Sequence, residues 1–114
     1  MKTVIAVGVL LLFTLPAAAQ KSAVVDTSLA VSGNCGHCKS RIEKAVKISG
    51  VKHARWDRKS KTLRVAFLSP PLSADSLQRI IAAAGHDTEQ YRAPDSVYSE
   101  LPGCCLYRDS DDSH

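Results

Sequence analysis

Two cysteines, Cys35 and Cys38, have the most distinctive chemistry in this sequence. They stand three residues apart in the stretch Ser32–Lys39, where a strand-like run gives way to a helix-like one, so both sulfurs can face one spot. A helix start favours the thiolate form of a nearby cysteine because it carries partial positive charge and unpaired N–H groups. Thiolates bind soft metal ions, Cu(I) ahead of Zn(II) or another thiophilic ion, and they also perform redox chemistry. The pair is therefore a candidate metal site or a candidate redox site.

The elements that position this pair are predicted from the spacing of apolar residues. The segment Ala23–Ser32 alternates between two faces, one of them mainly apolar, as a strand does. After the first cysteine, apolar residues recur at helical spacing opposite a charged face, which indicates an amphipathic helix. The apolar positions of that helix are Cys38, Ile42, Ala45 and Val46.

The rest of the domain continues with a hairpin, a second helix and a last strand. Val51–Asp57 and Thr62–Leu68 read as strands separated by a short charged turn, so they should form an antiparallel hairpin. Ser73 is a good N-cap for a second helix that ends at Gly85, and Thr88–Arg92 reads as a short fourth strand. We therefore predict an α+β, ferredoxin-like βαββαβ fold, with a four-stranded antiparallel sheet and two helices on one face.

Residues 1–19 have the pattern of a signal peptide. Lys2 is followed by an uncharged apolar run, Pro16 breaks that run, and Ala17–Ala19 form a small-residue cleavage site. The apolar run is well short of the ~20 residues that a membrane-spanning helix needs. We therefore expect an exported protein, periplasmic or secreted, with no stable membrane insertion after signal cleavage.

The remaining chain has room for one small domain. We assign residues 22–93 to this domain and residues 94–114 to a C-terminal tail that contains Cys104 and Cys105. The formal net charge of +4 suits an acidic protein partner or an anionic envelope surface, or it forms a solvated positive face without a partner. The sequence lacks the aromatic residues interleaved with basic ones that single-strand binders use for base stacking, so we expect no nucleic acid partner.

With its elements in this order, the segment from about Val24 to Arg92 resembles the heavy-metal-associated domain family. The matching motifs are Cys35-x-x-Cys38, Ile42-Glu43-Lys44-Ala45-Val46, Gly50-Val51, Leu63-x-Val65-x-Phe67 and Ile80-x-x-Ala83-x-Gly85. That family includes small copper chaperones and the N-terminal modules of metal-pumping ATPases. The resemblance implies that Cys35 and Cys38 bind a metal, usually Cu(I), and pass it to a partner's cysteines by ligand exchange. It also implies no catalysed reaction, a metal-transporting ATPase or other metal-trafficking protein as partner, and a monomer or a metal-bridged dimer.

The sequence departs from the family pattern beside the cysteines. Ser32, Gly33 and Asn34 stand where the family usually has Gly-Met-Thr, so the methionine that plugs the core under the metal is missing. Family members that favour zinc often have an aspartate before the first cysteine, and Asn34 has its shape without its charge. This favours Cu(I), with Zn(II) or another thiophilic ion still open. His86 stands where the family often has an aromatic residue, and it is a third ligand, an outer hydrogen-bond donor or a partly exposed group without a role.

Two other functions stay open for the cysteine pair. One is a thiol–disulfide oxidoreductase, because Cys-x-x-Cys at a helix start is also the thioredoxin arrangement, although here Asn34 rather than a tryptophan precedes it. The other is a disulfide-stapled interaction module, because export usually leads to an oxidising compartment. The oxidoreductase predicts disulfide reduction without metal. The stapled module predicts neither free thiols nor bound metal.

The adjacent cysteines Cys104 and Cys105 also have several interpretations. They could supply extra thiolates to the same metal or to a second one, form disulfides with each other or with the first pair, or serve as an inert anchor. At ~3.3 Å per extended residue, the segment after Arg92 can reach any face of so small a domain. We predict that the tail folds back over the domain and modulates access to the metal.

Overall fold

The sheet consists of three antiparallel strands in the order β1-β3-β2: β1 is Ala23–Ala30, β2 is Val51–Asp57 and β3 is Thr62–Ser69. The computed structural model of the chain describes residue 8 and residues 21–109, so the predicted signal peptide lies outside the described residues apart from Gly8. Within this described part, no helix is long and apolar enough to cross a membrane.

The predicted hairpin between β2 and β3 is confirmed, and Asp57 closes its turn. The carboxylate oxygen Oδ1 of Asp57 accepts hydrogen bonds from the backbone N–H groups of Lys59 (2.7 Å) and Ser60 (2.9 Å). Lys61 then takes a φ of 55°, which turns the chain back into β3. An aspartate that bonds the backbone two and three residues later is a common device for starting a tight turn. The charged turn is therefore a local feature of the sequence.

Two longer helices lie after β1 and after β3, and shorter ones follow in the tail. Helix α1 is Gly36–Ala45, α2 is Ala74–Ala83, α3 is Asp95–Tyr98, and two 3₁₀ turns follow at Gly103–Cys105 and Tyr107–Asp109. Ser73 caps α2 as predicted, because its hydroxyl accepts a hydrogen bond from the backbone N–H of Ser76 at 3.0 Å. Such a cap satisfies one of the free N–H groups at a helix start.

The core lies between one face of the sheet and the two longer helices. On β3 the alternate residues Leu63, Val65 and Phe67 are buried, as expected where one face of a strand packs inward. The helices and the tail complete the same cluster with Cys38, Ile42, Val46, Leu77, Ile81, Tyr98, Leu101, Cys105 and Tyr107. The tail is thus part of the core of the domain.

The prediction of a fourth strand was wrong for the described residues. The segment Thr88–Arg92 makes a single bridge, between Thr88 and Val31. The backbone N–H of Thr88 instead donates to the carbonyl of Tyr91 (2.7 Å), and the N–H of Tyr91 donates to the hydroxyl of Thr88 (3.0 Å). Because the segment satisfies its polar groups within a turn, it has few left to pair along a sheet edge.

Candidate metal centre

Cys35 and Cys38 lie at the start of α1, where the sequence places them. Cys35 is the N-cap residue with extended backbone (φ −140°, ψ −177°), and Cys38 lies in the first helical turn. The Cys38 side chain is fully buried, whereas Cys35 is half-buried at the rim. Their Sγ atoms lie 4.0 Å apart, so the two thiols face one spot.

The loop before the helix, residues 32–35, is held in place by hydrogen bonds to its carbonyl groups. Three side chains from distant parts of the chain donate them: His86 Nδ1 to Ser32 O (2.8 Å), Lys61 Nζ to Gly33 O (2.6 Å) and Arg58 Nε to Asn34 O (2.8 Å). The sequence indicated only a charged turn at residues 58–61. It is the tertiary fold that brings this turn beside the cysteines.

Gly33 and Trp56 pack against each other under this loop, at the place where the family has a methionine. A Cβ atom added at Gly33 would lie 2.9 Å from Cζ2 of Trp56 and 3.0 Å from Cβ of Cys38. The indole is buried, and its Nε1 donates a hydrogen bond to the carbonyl of Val31 at 3.0 Å. The tryptophan ring therefore fills the space beside the loop that a side chain at position 33 would need.

The pKa of Cys35 is lowered to about 7. Burial is the largest single influence and acts to raise the pKa, but several hydrogen bonds together outweigh it. They come from the backbone N–H of Cys38, the Cys104 thiol, the backbone N–H of His37 and the Cys38 thiol. Hydrogen bonds donated to a thiolate stabilise its charged form, as the helix start also does. A substantial fraction of Cys35 is therefore thiolate near neutral pH.

A third cysteine, from the tail, joins the first two. The sulfur atoms of Cys35, Cys38 and Cys105 all lie within 4.8 Å of one another. Cys105 is fully buried in the 3₁₀ turn Gly103–Cys105. Cys104 is exposed; its carbonyl oxygen lies 3.4 Å from the Cys35 sulfur, and its own sulfur lies 4.0 Å from that of Cys105. Of the two tail cysteines, only Cys105 belongs to the cluster of three.

The pKa values of the tail cysteines move in the opposite direction from that of Cys35. Burial, followed by the neighbouring Cys38 thiol, raises the pKa of Cys105. Hydrogen bonding to Cys35, followed by burial, raises the pKa of Cys104. Both tail cysteines therefore favour the protonated thiol, and binding of a cation by Cys105 would release its proton.

The two histidines near the motif have separate positions. His37 is exposed. His86 is fully buried, donates its Nδ1 proton to the carbonyl of Ser32, and stacks on the ring of Tyr107 with a centroid distance of 5.5 Å. Its Nε2 has no hydrogen-bond partner among the described residues, and it is not part of the cysteine cluster. The interpretation of His86 as a partly exposed group is therefore wrong, and its observed contact is to the loop.

Sequence reasoning missed the residues that hold the tail against the site. The Tyr107 hydroxyl donates to the carbonyl of Gly85 (2.8 Å) and accepts from the backbone N–H of Asp87 (2.8 Å). Arg108 forms an ion pair with Asp87, with Nη2 2.6 Å from Oδ1. An aromatic residue and an arginine, two and three residues after Cys105, were the available signal, but no pattern in the sequence connects them to residues 85–87.

Comparisons with known proteins agree with this architecture. The sequence profile of the heavy-metal-associated domain family matches residues 28–87, a little over half of the chain. The structure of a CopZ metallochaperone is similar at 29% sequence identity with a TM-score of 0.53, covering 56% of this chain and 98% of that one. A protein from Bacillus anthracis str. Ames described as copper-ion-binding is 28% identical, with a TM-score of 0.56 and coverage of 60% and 100%.

A third solved structure, oxidized MerP from Ralstonia metallidurans CH34, is 26% identical with a TM-score of 0.55, covering 59% of this chain and 96% of that one. No protein with a curated description matches the chain significantly. The family profile ends at residue 87, so the tail cysteines lie outside the matched segment. On the profile match and the fold, the chain belongs to the heavy-metal-associated domain family.

Proposed function

We propose that this protein is an exported metallochaperone or metal scavenger that binds Cu(I) through the thiolates of Cys35 and Cys38. It holds the ion as cargo, passes it on by ligand exchange and catalyses no reaction. The family membership supports heavy-metal binding. The names of two similar structures, a CopZ metallochaperone and a copper-ion-binding protein, favour copper over zinc or another thiophilic ion.

The observation that carries this proposal is the pairing of the two sulfurs at the start of α1. They lie 4.0 Å apart, and the pKa of Cys35 is lowered to about 7. Soft thiolate ligands select Cu(I) over hard cations, and a thiol that already ionises near neutral pH binds it with little competition from protons. The helix start supplies part of the positive charge that a dithiolate needs.

The position of Cys35 suits transfer to a partner. Its sulfur lies at the rim of the site, where an incoming thiolate can reach the ion, whereas Cys38 is buried. On the same helix, Lys39 is engaged in an ion pair with Glu43 at 2.5 Å, but Arg41 and Lys44 are exposed. These two cations can attract an acidic surface on a metal-transporting ATPase or another metal-trafficking protein. The protein would work as a monomer or as a metal-bridged dimer.

The test is competition for Cu(I) between the reduced protein and a chromophoric Cu(I) chelator under anaerobic conditions. The parent protein should hold one Cu(I) against the chelator, and the double variant C35S/C38S should release it completely. C104S is the cysteine control: because Cys104 is exposed and outside the cluster of three, this variant should still bind Cu(I), although it loses the thiol that hydrogen-bonds Cys35. If C35S/C38S still held Cu(I) as the parent does, these cysteines would not be the ligands.

Export is the second part of the proposal and is tested separately. Cleavage of the signal peptide at residues 1–19 should leave a mature chain that begins near Gln20. Mass spectrometry of the protein recovered from its own cells would give that N-terminus directly. A full-length chain starting at Met1 in the cell interior would contradict export and would leave the metal site unaffected.

Thiol–disulfide exchange is the second candidate function, favoured by the same lowered pKa of Cys35 beside a second thiol 4.0 Å away. A redox enzyme should reduce a protein disulfide catalytically without metal. A stapled module should instead be isolated with its cysteines oxidised. Alkylating the free thiols immediately on isolation and measuring the mass of the protein by mass spectrometry distinguishes the metallochaperone, the redox enzyme and the stapled module. If Cys35 and Cys38 are reduced and metal is bound, the result supports the metallochaperone proposal. If the two cysteines are oxidised and no metal is bound, the result contradicts it.

A further inference from the structure

The tail places a third thiol, that of Cys105, beside the CxxC pair. The distances between the sulfurs indicate whether two or three of them can bind one ion. Three sulfurs bound to one ion at about 2.3 Å lie about 4 Å apart in a trigonal site, whereas two sulfurs bound linearly lie about 4.6 Å apart. The sulfurs of Cys35 and Cys38 are 4.0 Å apart, and Cys105 lies within 4.8 Å of both. The CxxC pair thus already has the separation of a trigonal site, and the third sulfur needs to move by less than about 1 Å.

The tail holds Cys105 in place through its own packing. Two residues after Cys105, the hydroxyl of Tyr107 donates to the carbonyl of Gly85 and accepts from the backbone N–H of Asp87. The guanidinium of Arg108 bonds the carboxylate of Asp87 through Nη2 (2.6 Å) and Nε (3.1 Å), and both side chains are largely buried. Because these contacts do not involve the cysteines, the cost of ordering the tail is met before any ion binds. Such preorganisation increases affinity.

A second anchor lies before the cysteine turn. Leu101 is buried against Gly85: a Cβ atom added at Gly85 would lie 2.9 Å from Cδ2 of Leu101. Tyr98 is also buried; its hydroxyl accepts from the backbone N–H of Arg108 at 2.8 Å, and its ring packs edge-on against Tyr107. The cysteine turn is therefore fixed from both sides, and within the buried core cluster the Cys105 thiol lies beside the thiols of Cys35 and Cys38.

The other candidate ligands near the cluster do not join it. Cys104 is exposed and lies outside the group of three. His86 is bound to the carbonyl of Ser32 through Nδ1 and is also outside the group. Within the described residues the cluster therefore offers three sulfurs and no fourth ligand. Zn(II) in structural sites takes four ligands, whereas soft thiolates also suit Cu(I), which does not need a fourth.

We infer that the cargo ion, Cu(I), is bound by three thiolates, with Cys105 from the tail completing a trigonal site with Cys35 and Cys38. This inference rests on the proposed function, and it adds a third ligand to the proposed Cu(I) site. Binding forms three copper–sulfur bonds, and each thiol that is still protonated releases its proton to solvent. The third sulfur also covers the ion, so the tail sets how readily a partner's thiolate can displace a ligand.

X-ray absorption spectroscopy of the reduced protein carrying one Cu(I) per chain tests this directly. The parent protein should show three sulfur neighbours around copper. C105S should show two sulfur neighbours, and C104S should show three. A parent protein with two sulfur neighbours would overturn the inference while leaving the proposed function intact. Failure of the parent to bind Cu(I) at all would overturn both.

Chelator competition gives a second readout that does not depend on the spectroscopy. Loss of an outer-shell partner of a metal ligand already costs about 10–100-fold in affinity, so loss of a ligand should cost at least about tenfold. C105S should therefore hold Cu(I) at least about tenfold less tightly than the parent, whereas Tyr91→Phe, whose hydroxyl bonds Asp75 and Arg79 and not the cysteines, should match the parent. Equal affinity of C105S and the parent would also overturn the inference. Because Cys105 is buried, its substitution could disturb the fold, so the affinity comparison requires that C105S and the parent give the same circular dichroism spectrum. If the spectra differ, the number of sulfur neighbours around copper in the parent protein decides whether Cys105 is a ligand.

Discussion

The two cysteine pairs of this chain have the same separation between their sulfurs, 4.0 Å, but they are built differently. The CxxC pair stands at a helix start, where hydrogen bonds from backbone N–H groups and from the thiols of Cys104 and Cys38 outweigh burial and lower the pKa of Cys35 to about 7. The adjacent pair stands in a 3₁₀ turn without that help, and the pKa values of both Cys104 and Cys105 are raised. Cys35 is prepared to ionise by the helix start together with the Cys104 thiol, whereas Cys105 depends on the fold to bring it to the ion.

The largest expected effect on stability comes from removing the tail, because this leaves the CxxC pair in the chain and deletes the pair Cys104 and Cys105. A chain that ends at Arg92 loses the buried side chains of Tyr98, Leu101, Cys105 and Tyr107, at about 1.5–3 kcal/mol for each large apolar group. We expect urea unfolding to show a loss on the order of 5 kcal/mol and weaker retention of Cu(I). A chain that ends at Asp109 keeps every described contact and is the control. Unchanged stability of the shorter chain would mean that the tail is an appendage to an independent domain.

Tyr107→Phe should produce the next effect, because it detaches the tail while keeping every cysteine. The carbonyl of Gly85 and the backbone N–H of Asp87 both lose their partner, at about 1–3 kcal/mol for each buried polar group left unpaired. We expect a loss of about 2–4 kcal/mol in the free energy of unfolding and weaker Cu(I) retention. Tyr91→Phe is the matched control, because Tyr91 bonds Asp75 and Arg79 away from the tail. Equal effects of the two substitutions would argue against an anchoring role for Tyr107.

Gly33→Ala tests the CxxC side of the comparison. The added Cβ would lie 2.9 Å from the Trp56 ring and 3.0 Å from Cβ of Cys38, and overpacking of this kind costs about 1–3 kcal/mol. We expect that loss in thermal or urea unfolding. Gly36→Ala, at the first residue of α1, is the control, because nothing lies within 4 Å of its added Cβ and the residue is helical. A destabilised Gly36→Ala would indicate that this turn tolerates no side chain at all.

The smallest expected effect is the pH dependence of the tail anchor. Burial acts to raise the pKa of Asp87, but hydrogen bonds from Arg108 and the backbone N–H of Ala93 outweigh it and lower the pKa below the ordinary value. A lowered folded-state pKa contributes stability that is fully present above the unfolded pKa of about 3.9 and is lost as the pH falls through the folded pKa. The parent should therefore lose more unfolding free energy on acidification than Asp87→Asn. If the unfolding free energies of the two proteins changed with pH in parallel, Asp87 would not be the titrating group.

The fold was largely predictable where its signal is local. The hairpin follows from two alternating runs around a charged turn, and α2 follows from apolar spacing after the cap at Ser73. The fourth strand failed because Thr88–Arg92 has a weak strand pattern, and hydrogen bonds between Thr88 and Tyr91 satisfy its backbone in a turn. Whether a short segment pairs with a sheet edge depends on which partners the fold offers it.

The sequence by itself determined the CxxC pair, its place at a strand–helix junction and the family to which the domain belongs, because spacing and helix periodicity act over a few residues. Only the tertiary structure decided that Cys105 and not Cys104 joins that pair in a cluster of three, and that His86 is buried against the loop. These outcomes depend on contacts between residues far apart in the chain, such as Tyr107 with Gly85 and Arg108 with Asp87. No short-range pattern encodes such contacts, since they are selected by how the whole core packs.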